Sequence, residues 1–379
     1  MKIVENTNIA NLSPLASAIY DKLAHNQQML FLTWECEDDE LTNQAAHFLN
    51  HFDAAIAHLK GKVEFMLPLT AFHLMAHRAT SKWPADEELC RSLAKIAANH
   101  TVYWRAGRFD FNVSAKPIIY GIMNITPDSF YDGGRYNTPE TMREHIRQMV
   151  AAGADVIEVN GQTTKPGGFK EISPEEELAR IVPGIKMLQE EFPNVAIAVD
   201  TYKLPVMERV LEMGVDIIND VQAFDDQRKL LLLKNSRAGL VTMHSSRDRE
   251  YGNLTVEMKH FFEHNLAKIS EAGINLDRVI IDEGIGYSKV ADGEQDYAMM
   301  RNIDEFRYLN RPIMVAISRK GFGKKLFDLP KDERLPVTLI AETYMYLHGG
   351  RVLRVHDIEE TRQLVKMIDT ITAGYWQRG

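Results

Sequence analysis

The chain has 379 residues, enough for one domain of roughly 250 residues plus a smaller unit, and a formal net charge of −9 at pH 7. That balance excludes a nucleic-acid groove, which needs a basic stripe, so any anion site is a local cluster of Lys, Arg and His. Cys36 and Cys90 have no CxxC spacing and no His partner, which argues against a structural zinc or a disulfide framework, and no apolar run approaches the roughly 18 residues of a membrane span.

Met1–Ser13 has no apolar h-region, and two free thiols suit a reducing compartment, so a cytoplasmic protein is expected. Leu15–Leu23, Asp39–Leu59, Thr70–Ala79 and Ala85–Ala98 read as helices, and Met29–Thr33 as a strand. Residues 1–100 therefore read as a small α-rich domain without a catalytic constellation. A packed extension is the simpler reading of its role; docking or dimerisation is the other.

From about residue 117 one plan repeats: a short apolar run, a polar loop, an amphipathic helix, a glycine, then another run. Gly153, Gly214, Gly239 and Gly350 stand where helix C-caps need positive φ. Thr138-Pro139-Glu140 and Ser173-Pro174-Glu175-Glu176 mark helix starts, and the second has the spacing of a capping box. Eight β-branched runs follow one another: 118–125, 155–159, 196–199, 216–218, 240–243, 279–281, 313–317 and 352–355. Eight such units favour an α/β fold closed into a (β/α)8 barrel over residues 101–379; an open doubly wound sheet is the competing architecture.

In such barrels chemistry sits at the C-terminal strand ends. Those ends carry Asn124, Glu158 with Asn160, Asp200, Asn219 with Asp220, His244, Asp282, Ser318-Arg319-Lys320, and Arg354 with His356. Singly, each is an ordinary loop residue; Asp220 and Asp357 read as turn formers or caps, and His244 as a bonded loop histidine. The Glu175-Glu176-Glu177 run reads as a solvated helix N-terminus. As a set they divide in two. Asp200, Asp282 and Asn219 form an acceptor-rich floor for a donor-rich heterocycle, while Lys165, Arg319, Lys320, Arg354 and His356 form a cationic side for a phosphate or carboxylate.

Gly121-Ile122-Met123-Asn124-Ile125-Thr126-Pro127-Asp128-Ser129-Phe130, followed by Asp132-Gly133-Gly134, resembles the opening signature of the dihydropteroate synthase family. In the family's order come Asp200-Thr201-Tyr202-Lys203, Asn219-Asp220, Met243-His244, Asp282 with Gly284-Ile285-Gly286, Ser318-Arg319-Lys320 and Arg354-Val355-His356-Asp357. The resemblance implies condensation of 6-hydroxymethyl-7,8-dihydropterin diphosphate with p-aminobenzoate, releasing diphosphate with Mg²⁺ assistance. It implies catalytic roles for Asp200, Asp282, Lys320, Arg354 and His356. The pterin would lie on Asp200, Asn219, Met243, Asp282 and Lys320, and the diphosphate on Lys165, Arg354 and His356. p-Aminobenzoate would meet Thr164, Lys165, Pro166, Tyr287 and Arg319, and Asn124 would position the metal. A cytoplasmic, sulfonamide-sensitive homodimer with small-molecule substrates, touching neither membrane nor nucleic acid, is implied.

The chain departs from the family pattern Asp-Val-Gly-Gly-Glu-Ser-Thr-Arg-Pro-Gly, reading Glu158-Val159-Asn160-Gly161-Gln162-Thr163-Thr164-Lys165-Pro166-Gly167. Lys165 keeps the charge of Arg without its bidentate fork. Glu283 stands at a usual Pro, and Gly321 where a side chain is common. Two rival readings stay open. One is a pterin-binding methyltransferase acting on a corrinoid partner, which would not need the Arg354–His356 anion grip. The other is a catalytically silent pterin-binding paralogue, which the altered 160–165 segment favours.

Overall fold

The computed structural model describes residues 1–6, 13–25, 29–52, 54–125, 138–162, 171–245, 251–287 and 293–374. It divides into two compact units: residues 1–101 with the C-terminal end from Lys366, and residues 102–365.

The first unit is mixed rather than α-rich. β1 (Lys2–Glu5), α1 (Pro14–His25), β2 (Met29–Glu35), α2 (Asp39–Leu49), β3 (Ala55–Leu59), β4 (Lys62–Pro68), α3 (Leu69–Lys82) and α4 (Glu87–Asn99) follow in order. The strands form an antiparallel sheet ordered β1-β2-β4-β3. The helix expected over Asp39–Leu59 stops at Leu49, and its second half is strand β3. The cause is the hairpin that follows. Leu59 pairs with Lys62 across a two-residue turn in which Gly61 has φ 73°, and β4 alternates buried Val63, Phe65 and Leu67 with partly exposed partners. Trp34 lies in the core with Trp83 edge-on at 5.3 Å and Phe48 at 5.9 Å.

The second unit opens with a hairpin, β5 (Tyr103–Ala106) and β6 (Phe109–Asn112). Its Trp104 and Ala106 share a core with Ala196, Ile217, Val241, Ile280, Met314 and Val352 from the barrel interior. The hairpin is tied down by Trp104 Nε1, which donates to Arg278 O at 2.9 Å, and by the Arg108 fork on buried Asp216 at 3.0 and 2.9 Å. Eight parallel strands follow among the described residues: β7 (Ile118–Asn124), β8 (Val156–Asn160), β9 (Ala196–Asp200), β10 (Ile217–Asp220), β11 (Gly239–Met243), β12 (Val279–Asp282), β13 (Ile313–Val315) and β14 (Gly350–Val355). Interleaved with and following them are α5 (Pro139–Ala152), α6 (Pro174–Glu191), α7 (Leu204–Glu212), α8 (Gln227–Lys234), α9 (Leu254–Glu271), α10 (Glu294–Arg301), α11 (Phe322–Phe327), α12 (Leu335–Leu347) and α13 (Ile358–Thr372). The strands close into one barrel, with β14 pairing back onto β7. This is the (β/α)8 barrel, and the open sheet is ruled out by that last pairing. No helix among the described residues is long and apolar enough to cross a membrane.

Three local expectations are corrected. Gly153 (φ 97°) and Gly214 (φ 81°) are left-handed, but the corresponding residue before β14 is Gly349 (φ 109°). Gly239 and Gly350 begin strands and are small for another reason. A Cβ at Gly239 would lie 2.7 Å from Ala106, and one at Gly350 2.3 Å from Val315. The reciprocal capping box belongs to Thr138 with Thr141, whereas Ser173 accepts from Glu176 N without the return bond being seen. Glu177 is not solvated: it is 1% exposed and paired with Lys203.

Candidate active site

Strand register brings the polar ring together. Asn219 lies beside Asp200, Met243 beside Asp282, Asn124 beside Asn160 and Arg354 beside Tyr120. Alternate residues of a strand point the same way. Val156, Ala196, Ile217, Val241, Ile280, Met314 and Val352 form the barrel-interior core, so the residues two and four further along each strand face the interior as well. That parity selects Glu158 and Asn160, Ala198 and Asp200, Asn219, Met243, Asp282, Ala316 and Ser318, and Arg354.

Glu158 is the centre of this layer and is fully buried. Its Oε1 accepts from Arg354 Nε at 3.0 Å, from Arg354 Nη2, and from Asn160 Nδ2 at 2.9 Å. Its Oε2 accepts from Tyr120 OH at 2.8 Å and Asn219 Nδ2 at 3.0 Å. Asp200 Oδ2 lies 3.3 Å from the same Arg354 Nη2. Two carboxylates thus share one guanidinium, and Glu158 has the better share. Burial opposes ionisation of Glu158, but the Arg354 charge and the donated hydrogen bonds outweigh it and hold its pKa below the usual value. Burial pushes Asp200 up to about 8, the Glu158 charge adding to the shift and Arg354 opposing it. Arg354 thus favours the ionised form of Glu158, while burial favours the protonated form of Asp200. Burial opposes the Arg354 charge, but Glu158 and Asp200 raise its pKa above the usual guanidinium value.

Two acceptors in this layer, Asp200 Oδ1 and Asn160 Oδ1, have no hydrogen-bond partner among the described residues. Buried acceptors left so are costly unless a ligand meets them. Asp282, also raised by burial, accepts from Gly284 N at 2.8 Å and is stabilised as an anion by Lys320. Lys320 Nζ donates to Ile285 O and lies 5.0 Å above the Tyr287 ring, so these expected residues do converge. His356 Nδ1 sits 3.0 Å from Ser318 Oγ. Asn124 Oδ1 accepts from Asn160 Nδ2 at 3.2 Å.

Arg319 is a correction. It lies in the turn after β13 with φ 52°, and its fork holds Asp357 through two bonds of 2.8 Å while Nη1 meets Asp332 O at 2.8 Å. It is 5% exposed, and its guanidinium joins the loop after β13 to the start of α13. Asp357 is thus its ion-pair partner and more than a loop residue. Asp220 is the turn former expected, accepting from Gln222 N and Phe224 N, with Lys229 at 2.9 Å in addition. Thr164, Lys165 and Pro166, like the 126–134 part of the opening signature, lie outside the described residues. Tyr120, Glu158 and Asn160 were not among the assigned site residues. Their signal was parity within the runs, which fixes Glu158 and Asn160 once Val156 points inward.

Glu283 follows Asp282 and is 1% exposed, with neither carboxyl oxygen bonded among the described residues. Burial, with Asp282 and Asp304 adding repulsion, raises its pKa well above the usual glutamate value of 4.5. The folded state holds this proton longer than the unfolded chain, so the group costs stability increasingly as pH rises above 4.5. Glu283→Met should therefore stabilise the protein at pH 8 by about 1–3 kcal/mol and by less at pH 5. Urea unfolding at the two pH values checks this; a variant less stable at pH 8 than wild type defeats it.

Comparison with known proteins agrees with this geometry. The profile described as pterin binding enzyme matches residues 120–356. The dihydropteroate synthase of Clostridium beijerinckii is 34% identical over 271 residues, 70% of this chain and 98% of the relative. The Yersinia pestis dihydropteroate synthase solved with a sulfonamide drug superposes with a TM-score of 0.67 at 28% identity, covering 72% of this chain and 100% of that one. The Burkholderia cenocepacia enzyme complexed with 7,8-dihydropteroate gives 0.65 at 27% identity, covering 73% and 99%. With its closed barrel, its acceptor-lined strand ends and these relatives, the chain belongs to the dihydropteroate synthase family of pterin-binding transferases.

Proposed function

We propose that the chain condenses 6-hydroxymethyl-7,8-dihydropterin diphosphate with p-aminobenzoate to give 7,8-dihydropteroate and diphosphate in folate biosynthesis. The observation that carries this is the pair of buried acceptors without a partner among the described residues, Asp200 Oδ1 and Asn160 Oδ1, in one layer with Asn219 and Asp282. A pterin edge rich in N–H groups satisfies them. The methylene C–O bond breaks and its electron pair leaves with the diphosphate. The arylamine lone pair then forms the C–N bond, and the amine loses a proton. Asp200, once ionised, stabilises the positive methylene through space, so no protein nucleophile is needed. His356 supplies a donor to the anion and Lys320 one to the pterin, and Lys165 is proposed for the anion and for the arylamine with Thr164, Pro166 and Tyr287.

Arg354 is held to Glu158 through Nε and Nη2, which leaves Nη1 for the diphosphate. A Mg²⁺ arriving with the diphosphate fits the donor set. Asn124 offers one carbonyl oxygen, and the described residues hold no cluster of three His, Cys, Asp or Glu that would cage a metal unaided. When bound, the ion neutralises charge on the leaving group. Sulfonamides, as p-aminobenzoate mimics, are expected to compete at the arylamine pocket.

A homodimer is proposed from helix α12, where Pro336, Ile340, Tyr344 and Leu347 make one exposed stripe, Ile340 being 70% exposed. Ile340→Glu should convert the dimer to a monomer in sedimentation velocity, and a monomeric wild type would sink the proposal. The reaction is tested by diphosphate release from the dihydropterin diphosphate and Mg²⁺ with and without p-aminobenzoate. Release that depends on p-aminobenzoate and yields dihydropteroate supports the synthase. Pterin binding without release moves the reading to the silent paralogue, and methyl transfer to a corrinoid protein moves it to the methyltransferase.

A further inference from the structure

His356 stands two residues after Arg354, and the chain there is tied to the loop after β13 by two consecutive rungs. Ser318 and Arg319 are the central residues of a turn that Lys320 N closes on Ile317 O at 3.1 Å. Arg319 N donates to Thr338 Oγ1 at 3.0 Å, which anchors the turn on α12. The Arg319 fork on Asp357, through two bonds of 2.8 Å, makes one rung. Ser318 makes the other, and among the described residues both contacts of its hydroxyl go to His356. Its Oγ accepts from His356 N at 3.2 Å and lies 3.0 Å from His356 Nδ1. A ring turned over would put a carbon at that 3.0 Å, closer than a C–H···O contact allows, so a nitrogen belongs there. Ser318 is 5% exposed, which keeps its hydroxyl from turning to water.

We propose that Ser318 is a positioning residue for diphosphate departure: it assigns the hydrogen of neutral His356 to Nε2, so that the ring donates to the leaving anion without carrying a charge. The inference rests on the synthase reading, in which His356 supplies a donor to the diphosphate. A hydroxyl has one hydrogen to give, and a backbone N–H can only donate. The contact with His356 N therefore uses a lone pair of Oγ. Were the ring hydrogen on Nδ1, Oγ would accept twice and its own hydrogen would be buried with no acceptor among the described residues. The opposite assignment satisfies all three atoms. Ser318 gives its hydrogen to Nδ1, and a neutral imidazole that accepts at Nδ1 carries its hydrogen on Nε2. The same oxygen holds the His356 main chain, and the Arg319–Asp357 rung one residue further on keeps the two segments opposed. The working state of the site calls for such a donor. Asp200 acts as an anion and is held up to about 8, a range in which an imidazole of ordinary basicity is neutral and has a single hydrogen to place.

The test uses the full-length protein labelled with ¹⁵N at histidine, with the His356 ring signals identified as those missing from His356→Asn. At pH 8 the ring-nitrogen NMR spectrum of the wild type should show His356 with its hydrogen on Nε2 and none on Nδ1. Ser318→Ala should show a mixture of the two tautomers. In steady-state diphosphate release at the same pH, with each substrate varied separately, Ser318→Ala should raise KM for the pterin diphosphate about tenfold and leave KM for p-aminobenzoate within about twofold. A neutral wild-type ring with its hydrogen on Nδ1 overturns the inference, whether or not Ser318→Ala folds. So does a Ser318→Ala variant whose tautomer or whose KM for the pterin diphosphate is unchanged, or in which both KM values rise alike. A wild type that shows no p-aminobenzoate-dependent release overturns the synthase reading first. The ring measurement needs no turnover, so the two failures are told apart.

Discussion

Asp200→Asn should lower kcat by about 10²- to 10³-fold while the barrel remains folded, because it removes the charge proposed to stabilise the pterin methylene. The residue lies at the end of β9 with Oδ1 unpartnered among the described residues and Oδ2 3.3 Å from Arg354. In the free protein its carboxyl is held up to about 8, first by burial and then by Glu158. If the ionised form is the working one, kcat/KM for the pterin diphosphate climbs as pH rises toward 8, and the Asn variant loses that limb. The stability effect has the opposite sign. An acid whose pKa rises from 3.8 unfolded to about 8 folded costs stability that grows across that interval, and Asn has no proton to lose. The variant should therefore be at least as stable as wild type at pH 7 by urea unfolding. Near-normal kcat/KM with an intact acid limb would remove Asp200 from the mechanism.

Glu158→Leu should destabilise the protein by about 3–5 kcal/mol, since it leaves Arg354 buried without its principal partner. Five hydrogen bonds converge on that carboxylate, from Arg354 twice, Asn160, Asn219 and Tyr120. The wild-type advantage should be present above the usual glutamate pKa of 4.5 and disappear as pH falls through the lower folded value. Glu158→Gln should cost less, because Asp200 is near enough to ionise and take over the guanidinium. In that variant the acid limb of kcat/KM should move to lower pH. A Leu variant within about 1 kcal/mol of wild type would mean that Arg354 finds another partner or moves to solvent.

The sequence carried the barrel and most of the ring for physical reasons that are local. A buried parallel strand must be apolar on both faces, so eight short β-branched runs show themselves, and a residue at a strand end must be polar to begin a loop. Asp200, Asn219, Asp282, Lys320 and Arg354 were found this way. The N-terminal sheet was harder to read because Ala55–Leu59 has helix-compatible residues and becomes a strand through pairing with Lys62–Pro68. The type of Arg319 suits an anion site, and only the structure shows its guanidinium paired with Asp357.

Local pattern by itself determined the α/β repeat, the strand ends that carry chemistry and the acceptor character of the floor. Only the tertiary structure decided which charges meet. That Glu158 rather than Asp200 takes the better share of Arg354, that Glu177 is buried on Lys203, and that Glu283 has no partner among the described residues are consequences of burial and of distances between residues tens to hundreds of positions apart. Charge pairing and desolvation depend on those distances, and they are set only when the barrel closes.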